Sequence, residues 1–258
     1  MNNILREIIL NKEREVDLLK RNVIFDKKPR TSNKSFKRSL LNSGLTVIAE
    51  IKRKSPINGQ LSVIADPVEL AFDYVHGGAG AISVLTDEHY FDGSINDLRA
   101  TAAALKNTST TILCKDFIID SVQIDEAVLA GADAVLLIAA VLGSKLKSLL
   151  EYAKDMNIDA LVEVHSHEEI DSALNAGAKI IGINNRDLKT FDLDINRSLN
   201  LIQYIPDCIV RVSESGITTP DVARQLYSHG FDAVLVGTSL VCSENPEELI
   251  RSMRAHHE

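Results

Sequence analysis

The chain has 258 residues, 45% hydrophobic and 25% charged, which is long enough for one large core and excludes disorder and a disulfide-stapled miniprotein. Its 28 Lys and Arg stand against 36 Asp and Glu, so the net charge of -8 gives no long-range attraction for nucleic acid or an anionic membrane, and an anionic ligand needs a local cationic pocket. No run reaches the roughly 18 apolar residues of a membrane helix, and the N-terminus MNNILREIILNKEREVDLLK is charged throughout, unlike a signal peptide, which predicts a cytoplasmic protein.

Residues 1–45 are expected to form an N-terminal helical extension packed on a barrel that occupies 46–258 as a single catalytic domain. Asn3 to Asn22 has helical periodicity, with Ile4, Ile8, Ile9, Val16 and Leu19 available for one face. The basic stretch KKPRTSNKSFKR from Lys27 reads as a solvated connector over one barrel end; nucleic-acid binding is the sharper alternative, disfavoured by the acidic total.

A repeat then begins. GAGAISV from Gly78, GADAVLL from Gly131, GAKIIGI from Gly177 and GFDAVLV from Gly230 are each a Gly followed by a buried strand, spaced at about two strand-helix units. Gly suits the left-handed turn that closes a helix. TVIAEI from Thr46, TILCK from Thr111, ALVEV from Ala160 and CIVRV from Cys208 interleave with them to make eight strands. The stretches between read as helices, entered through a polar or Pro start and left through Gly, for example PVELAFDYVHGG and SHEEIDSALNAG. Strict alternation predicts parallel strands and a (β/α)8 TIM barrel. A doubly wound sheet would need a glycine-rich dinucleotide turn after Ile51, and none is there.

In such a barrel the active site lies at the C-terminal strand ends, where side chains two apart share a face. By this parity Glu50 and Lys52 project inward above Ile48, followed by Lys115 and Phe117 above Leu113, Glu163 above Leu161, and Asn184 and Arg186 above Gly182. Arg211 is placed inward with Ser213. Carboxylates and ammonium groups converging inside a barrel are either a structural ion-pair network or acid-base machinery, in which a lysine beside a second cation would have a lowered pKa. Gly216 and Gly237 permit close backbone approach after strands seven and eight, and Ser215, Thr238 and Ser55 offer hydroxyls, a pattern suited to a phosphorylated ligand. Phe91 and Phe117 are lid packing or walls for a flat ligand. His165 and His167 lack partners at metal-ligand spacing and read as loop and helix-start residues, and Cys114, Cys208 and Cys242 are scattered, so no metal site is expected.

The stretches IAEIKRKSP, SVLTDEHYFDGS, LCKDFIID, LVEVH, GINNRDL, VSESGI and LVGTSL run from the first strand to the last, and together they resemble the indole-3-glycerol-phosphate synthase family of tryptophan biosynthesis. The resemblance implies closure of a carboxyphenylamino-deoxyribulose phosphate to indole-3-glycerol phosphate with loss of carbon dioxide and water, without metal or redox cofactor. It implies Lys115 as principal general acid, Glu163 as proton acceptor and donor in later steps, Glu50 as orienting charge and aiding dehydration, and Lys52 as the grip on the substrate carboxylate and a further acid in dehydration. Asn184 and Glu214 would hold sugar hydroxyls or developing charge, with Arg186 in the same motif as Asn184. Phe91 and Phe117 would line the aromatic pocket. Ser55, Ser215, Gly216, Gly237 and Thr238 would take the phosphate, Thr238 keeping the hydroxyl where many members have Ser. The N-terminal extension resembles the family's, which helps cover the site. The implied partner is a small phosphorylated substrate, with no nucleic acid, membrane or fused pathway enzyme. A phosphoribosyl isomerase and a catalytically silent ligand-binding barrel share the glycine loops; the Glu-x-Lys, Lys and Glu set separates them.

Overall fold

The computed structural model describes residues 3–22, 28–41, 44–57, 59–188 and 190–254. Eight strands, β1 (Thr46–Ile51), β2 (Ala81–Leu85), β3 (Thr111–Lys115), β4 (Ala134–Ile138), β5 (Asp159–Val164), β6 (Ile180–Asn184), β7 (Val210–Glu214) and β8 (Ala233–Val236), close into a barrel in sequence order. Every pairing is parallel, and β1 closes the ring by pairing with both β2 and β8. Parallel strands are covered on both faces, which is why TVIAEI is buried at all six positions.

The two faces of each strand feed different cores. Ile48, Leu113, Leu136, Leu161, Val212 and Leu235 fill the barrel interior, whereas Val47, Val84, Cys114, Leu137 and Val162 pack outward beneath the helices. The outer helices are fixed by their own ends: Asp66 caps Pro67–His76, Ser166 caps His167–Ala176 and Thr219 caps Pro220–Ser228, each side chain accepting a first-turn N–H. The four repeat glycines, Gly78, Gly131, Gly177 and Gly230, all take positive φ between 90° and 98°, the left-handed turn read from the sequence.

The parity of β7 corrects one expectation. Val210 and Val212 join the interior, so Glu214 points inward and Arg211 and Ser213 point out. Arg211 pairs with Asp207 at 2.8 Å and lies 3.9 Å from Asp232, outside the barrel.

The N-terminal segments cover both barrel ends. Helix α2 (Phe36–Ser39), with Leu40 following, drives Phe36 and Leu40 into the interior core at 0% exposure, so the connector packs over one barrel end as expected, but as a buried floor instead of a solvated link. Arg30 pairs with Asp133 and the Lys34 ammonium donates to the carbonyls of Leu105 and Thr110, satisfying the buried ends of this plug. Helix α1 (Asn3–Asn22) lies at the opposite end. Its buried face is Leu5, Ile8, Lys12 and Val16; Ile4, Ile9 and Leu19 are only partly covered. The expected stripe is therefore rotated toward a lysine. Among the described residues no helix is long and apolar enough to cross a membrane.

Candidate active site

A cavity of about 260 Å³ opens at the C-terminal ends of the strands. All fourteen residues singled out above line it: Glu50, Lys52, Ser55, Phe91, Lys115, Phe117, Glu163, Asn184, Arg186, Glu214, Ser215, Gly216, Gly237 and Thr238. Helix α1 adds Leu5 and Ile8 from above.

The charged groups form one cluster because inward positions at the ends of β1, β3, β5 and β7 converge on the axis. Lys52 Nζ sits 2.7 Å from Glu50 Oε1. Lys115 Nζ is ringed by Glu214 at 3.5 Å, Glu163 at 3.7 Å and Glu50 at 4.0 Å. The three carboxylates are at most 3% exposed. Burial alone would push the Lys115 ammonium down, but Glu214, Glu163 and Glu50 together hold it well above the ordinary lysine value. This reverses the expected lowering. A second cation is nearby, yet the ammonium meets three carboxylates first. For Glu50, burial pushes the carboxyl up, and Lys52 and Lys115 overcome it, leaving it below its usual range. Glu214 goes the other way: burial outweighs Lys115, with Glu163 and Glu50 adding to it, and its carboxyl is pushed up to about 7.

Space for these groups comes from two glycines. A Cβ at Gly182 would collide with the Glu214 carboxylate, and one at Gly237 would strike Glu50 and approach Lys52 Nζ at 3.0 Å. Small residues at these points let large charged ones occupy the axis.

The loops after β7 and β8 are held together. Ser215 and Gly216 take consecutive positive φ values of 66° and 81°, an unusual conformation for Ser, and the Asn185 amide pins the turn by donating to Ser213 Oγ and Ser215 O. Ser239 Oγ donates to Ile217 O across to the same loop. On the other side Phe91 and Phe117 face one another with ring centroids 6.1 Å apart. Beyond β6, Arg186 bridges to Leu193 and donates to Phe191 O, while the Asn184 side chain accepts from Arg186 N–H.

His165 is in the loop after β5, as the sequence predicts, but it also stands directly behind Glu163, which the sequence reading did not assign. Its Nε2 lies 3.4 Å from Glu163 Oε1 and its Nδ1 3.3 Å from Glu169 Oε2, a chain that runs from the cavity to the helix after β5. Burial would lower the imidazole pKa, but Glu169 and Glu163 raise it above the ordinary histidine value. Leu161, Glu163 and His165 share parity, a signal that was available in the sequence. Far from the mouth, Asp73, His76 and Glu247 bring ligand-type atoms within 4.8 Å of one another on the outer helices, in an exposed position.

Eight parallel strands, helices outside and a ring of buried acid and base groups at the C-terminal mouth define a (β/α)8 barrel of the enzyme type, with its cavity at that mouth. The sequence model of the indole-3-glycerol phosphate synthases matches residues 5–253. Indole-3-glycerol phosphate synthase of Thermoanaerobacter pseudethanolicus is 45% identical over 92% of both chains, that of Exiguobacterium sibiricum 43% over 97% of this chain and 96% of its own, and that of Bacteroides thetaiotaomicron 42% over 98% of both. The chain belongs to the indole-3-glycerol phosphate synthase family, carboxy-lyases of tryptophan biosynthesis. Among solved structures, a thiamine phosphate pyrophosphorylase from Pyrococcus furiosus has TM-score 0.62 at 18% identity, covering 84% of this chain and 95% of its own. The 3-hexulose-6-phosphate synthase from Salmonella typhimurium has TM-score 0.64 at 14% identity, covering 81% and 96%. These two share the fold.

Proposed function

We propose that this cavity carries out the family's reaction on 1-(2-carboxyphenylamino)-1-deoxyribulose 5-phosphate, with the roles divided along the cavity as follows. The substrate ring packs against the wall formed by Phe91 and Phe117, beneath Leu5 and Ile8. Its phosphate lies at the opposite end, against Ser55 and the turns Ser215–Gly216 and Gly237–Thr238, where backbone can approach closely. Lys52, whose Nζ lies beside the Gly237 turn, takes the substrate carboxylate from the phosphate side of the cavity. The ketone then falls between the two ends, at Lys115.

The chemistry needs an acid at the forming hydroxyl, loss of carbon dioxide to restore the ring, and an acid and base again for dehydration. Lys115 is held protonated by its three carboxylates, so it enters the cycle as the acid. Donating its proton to the ketone oxygen leaves a neutral amine among carboxylates, a state they disfavour, so the proton is drawn back from a neighbouring acid. Glu163, 3.7 Å from Lys115, acts after carbon dioxide has left, accepting the proton lost from the new five-membered ring and donating one to the departing hydroxyl, which leaves as water, with Glu50 assisting through Lys52. Glu214 and Asn184 hold the sugar hydroxyls, and Arg186 closes that wall.

The single observation that carries this reading is the Lys115 ammonium ringed by Glu50, Glu163 and Glu214 at one end of an apolar slot. The family match disfavours a phosphoribosyl isomerase or a silent barrel. A cytoplasmic location belongs to the same reading. Incubating the protein with the carboxyphenylamino sugar phosphate should produce indole fluorescence and one carbon dioxide per turnover; absence of both from folded protein would overturn it.

A further inference from the structure

Lys12 is a lysine that a surface helix has no ordinary reason to bury. It is 2% exposed, and its ammonium meets Glu15 Oε2 at 2.7 Å, Asp116 Oδ1 at 2.8 Å and Asp87 Oδ2 at 3.0 Å. Burial opposes the charge, yet Asp116 and Asp87 together raise its pKa far above the ordinary value, so it stays an ammonium. A buried cation is tolerated when paired in this way, and removing it strands its partners.

Those partners are the roots of the two aromatic loops. Asp87 is fully buried, and its other oxygen accepts the Tyr90 N–H, capping the short turn Glu88–Phe91 that presents Phe91. Asp116 lies between Lys115 and Phe117; one oxygen accepts the Phe117 N–H at 2.7 Å and the other accepts from Thr86 Oγ1 at 2.6 Å. Leu5 and Ile8, seven and four residues before Lys12 on the same helix face, reach into the cavity themselves. One ammonium therefore ties down three walls of the slot: the helix carrying Leu5 and Ile8, the turn carrying Phe91 and the strand end carrying Phe117.

We propose that Lys12 is a positioning residue for the aromatic end of the cavity, fixing the width of the slot that receives the flat aryl carboxylate of the substrate. The proposal rests on the reading that the ring packs against the wall formed by Phe91 and Phe117. Without the ammonium, Asp87 and Asp116 face one another unneutralised, the two loops part, and the helix loses its polar anchor above the ring. The phosphate turns after β7 and β8 share none of these contacts.

The test uses the full chain and two probes that inhibit competitively, anthranilate for the ring end and inorganic phosphate for the other. In Lys12→Met, which keeps the aliphatic stem, the anthranilate Ki and substrate KM should rise about tenfold or more, while the phosphate Ki stays within about twofold and kcat falls less than KM rises. Lys12→Arg retains the charge and should recover part of the anthranilate affinity. If Lys12→Met does not fold, Asp87→Asn keeps the cap on Tyr90 while removing the ion pair, and should show the same loss confined to anthranilate and substrate. Unchanged anthranilate affinity in a folded variant overturns the proposal, and so does an equal loss for phosphate, which means a general collapse. Failure of the unsubstituted chain to turn over the substrate overturns the underlying reading and this proposal with it, whereas intact turnover with indifferent variants overturns the proposal alone.

Discussion

Glu214 Oε2 lies 3.5 Å from Lys115 Nζ, and neither oxygen of this buried carboxylate completes a hydrogen bond among the described residues. A carboxylate so placed is attracted to the ammonium and penalised by its surroundings at the same time. Its carboxyl, raised from 4.5 to about 7, therefore titrates where few glutamates do.

Between those two values the folded chain holds a proton that the unfolded chain has released, so stability falls as pH rises through the window. The melting temperature of the unsubstituted protein should carry this decline, and Glu214→Gln should flatten it. Activity should move oppositely, because a carboxylate holding a hydroxyl must be ionised. kcat/KM should climb through about pH 7, and Glu214→Gln should lose that limb along with most of its rate. A variant that keeps the same limb would assign the ionisation to another group.

Lys115→Met should lower kcat by about 10²–10⁴-fold with substrate still bound, the loss expected for a positioned acid. It also leaves Glu50, Glu163 and Glu214 without their shared cation, a change of the kind that costs about 3–5 kcal/mol in a buried pair. The destabilisation should be larger above about pH 7, where the Glu214 carboxyl has lost its proton, and denaturant titrations at two pH values measure it. Lys52→Met, which removes one neighbour of Glu50, should weaken substrate binding as well as turnover.

Gly237→Ala should raise KM and lower kcat together. Its methyl group would meet Glu50 and crowd Lys52, so the damage reaches the acid-base pair as well as the phosphate turn. Thr238→Ala removes a hydroxyl without that collision and should raise KM with less effect on kcat. Steady-state kinetics with inorganic phosphate as competitor separates the two.

His165→Gln should leave the fold intact and slow the reaction about tenfold, with kcat more affected than KM, because Glu163 loses the imidazole behind it. The pKa of His165 is raised, so its stabilising contribution is fully present below the ordinary value of 6.5 and lost as pH climbs through the folded value. Thermal melts of the variant should lose this dependence on the alkaline side. An unchanged rate and an unchanged pH profile would make His165 a bystander.

The barrel was legible because its strands are buried on both faces and so stand out as runs such as TVIAEI and TILCK, bounded by helix-closing glycines. Period-two counting from Ile48, Leu113 and Leu161 then carried Glu50, Lys115 and Glu163 to the mouth. The same counting misplaced Arg211, where the strand was started from the wrong face. Lys12 could not be read at all: a lysine in a charged helix looks solvated until Asp87 and Asp116, some 75 and 104 residues later, fold against it. The direction of the Lys115 shift was out of reach for the same reason, since it depends on carboxylates from three separate strands meeting one ammonium. Phe36 lies in, and Leu40 just beyond, a basic stretch whose composition conceals a plug.

The pairing of β1 with β8 has a consequence for how the chain acquires its activity. Glu50 sits on the first strand made, Lys52 just past its end and Gly237 just past the last strand, and they come so close that a methyl group does not fit between them. A nascent chain still lacking β8 already carries Lys115, Glu163 and Glu214 but has no closed ring to bring them together. Catalysis should thus require the meeting of the two ends of the barrel. Separately expressed halves should be inert until mixed, and the regain of turnover would time ring closure directly.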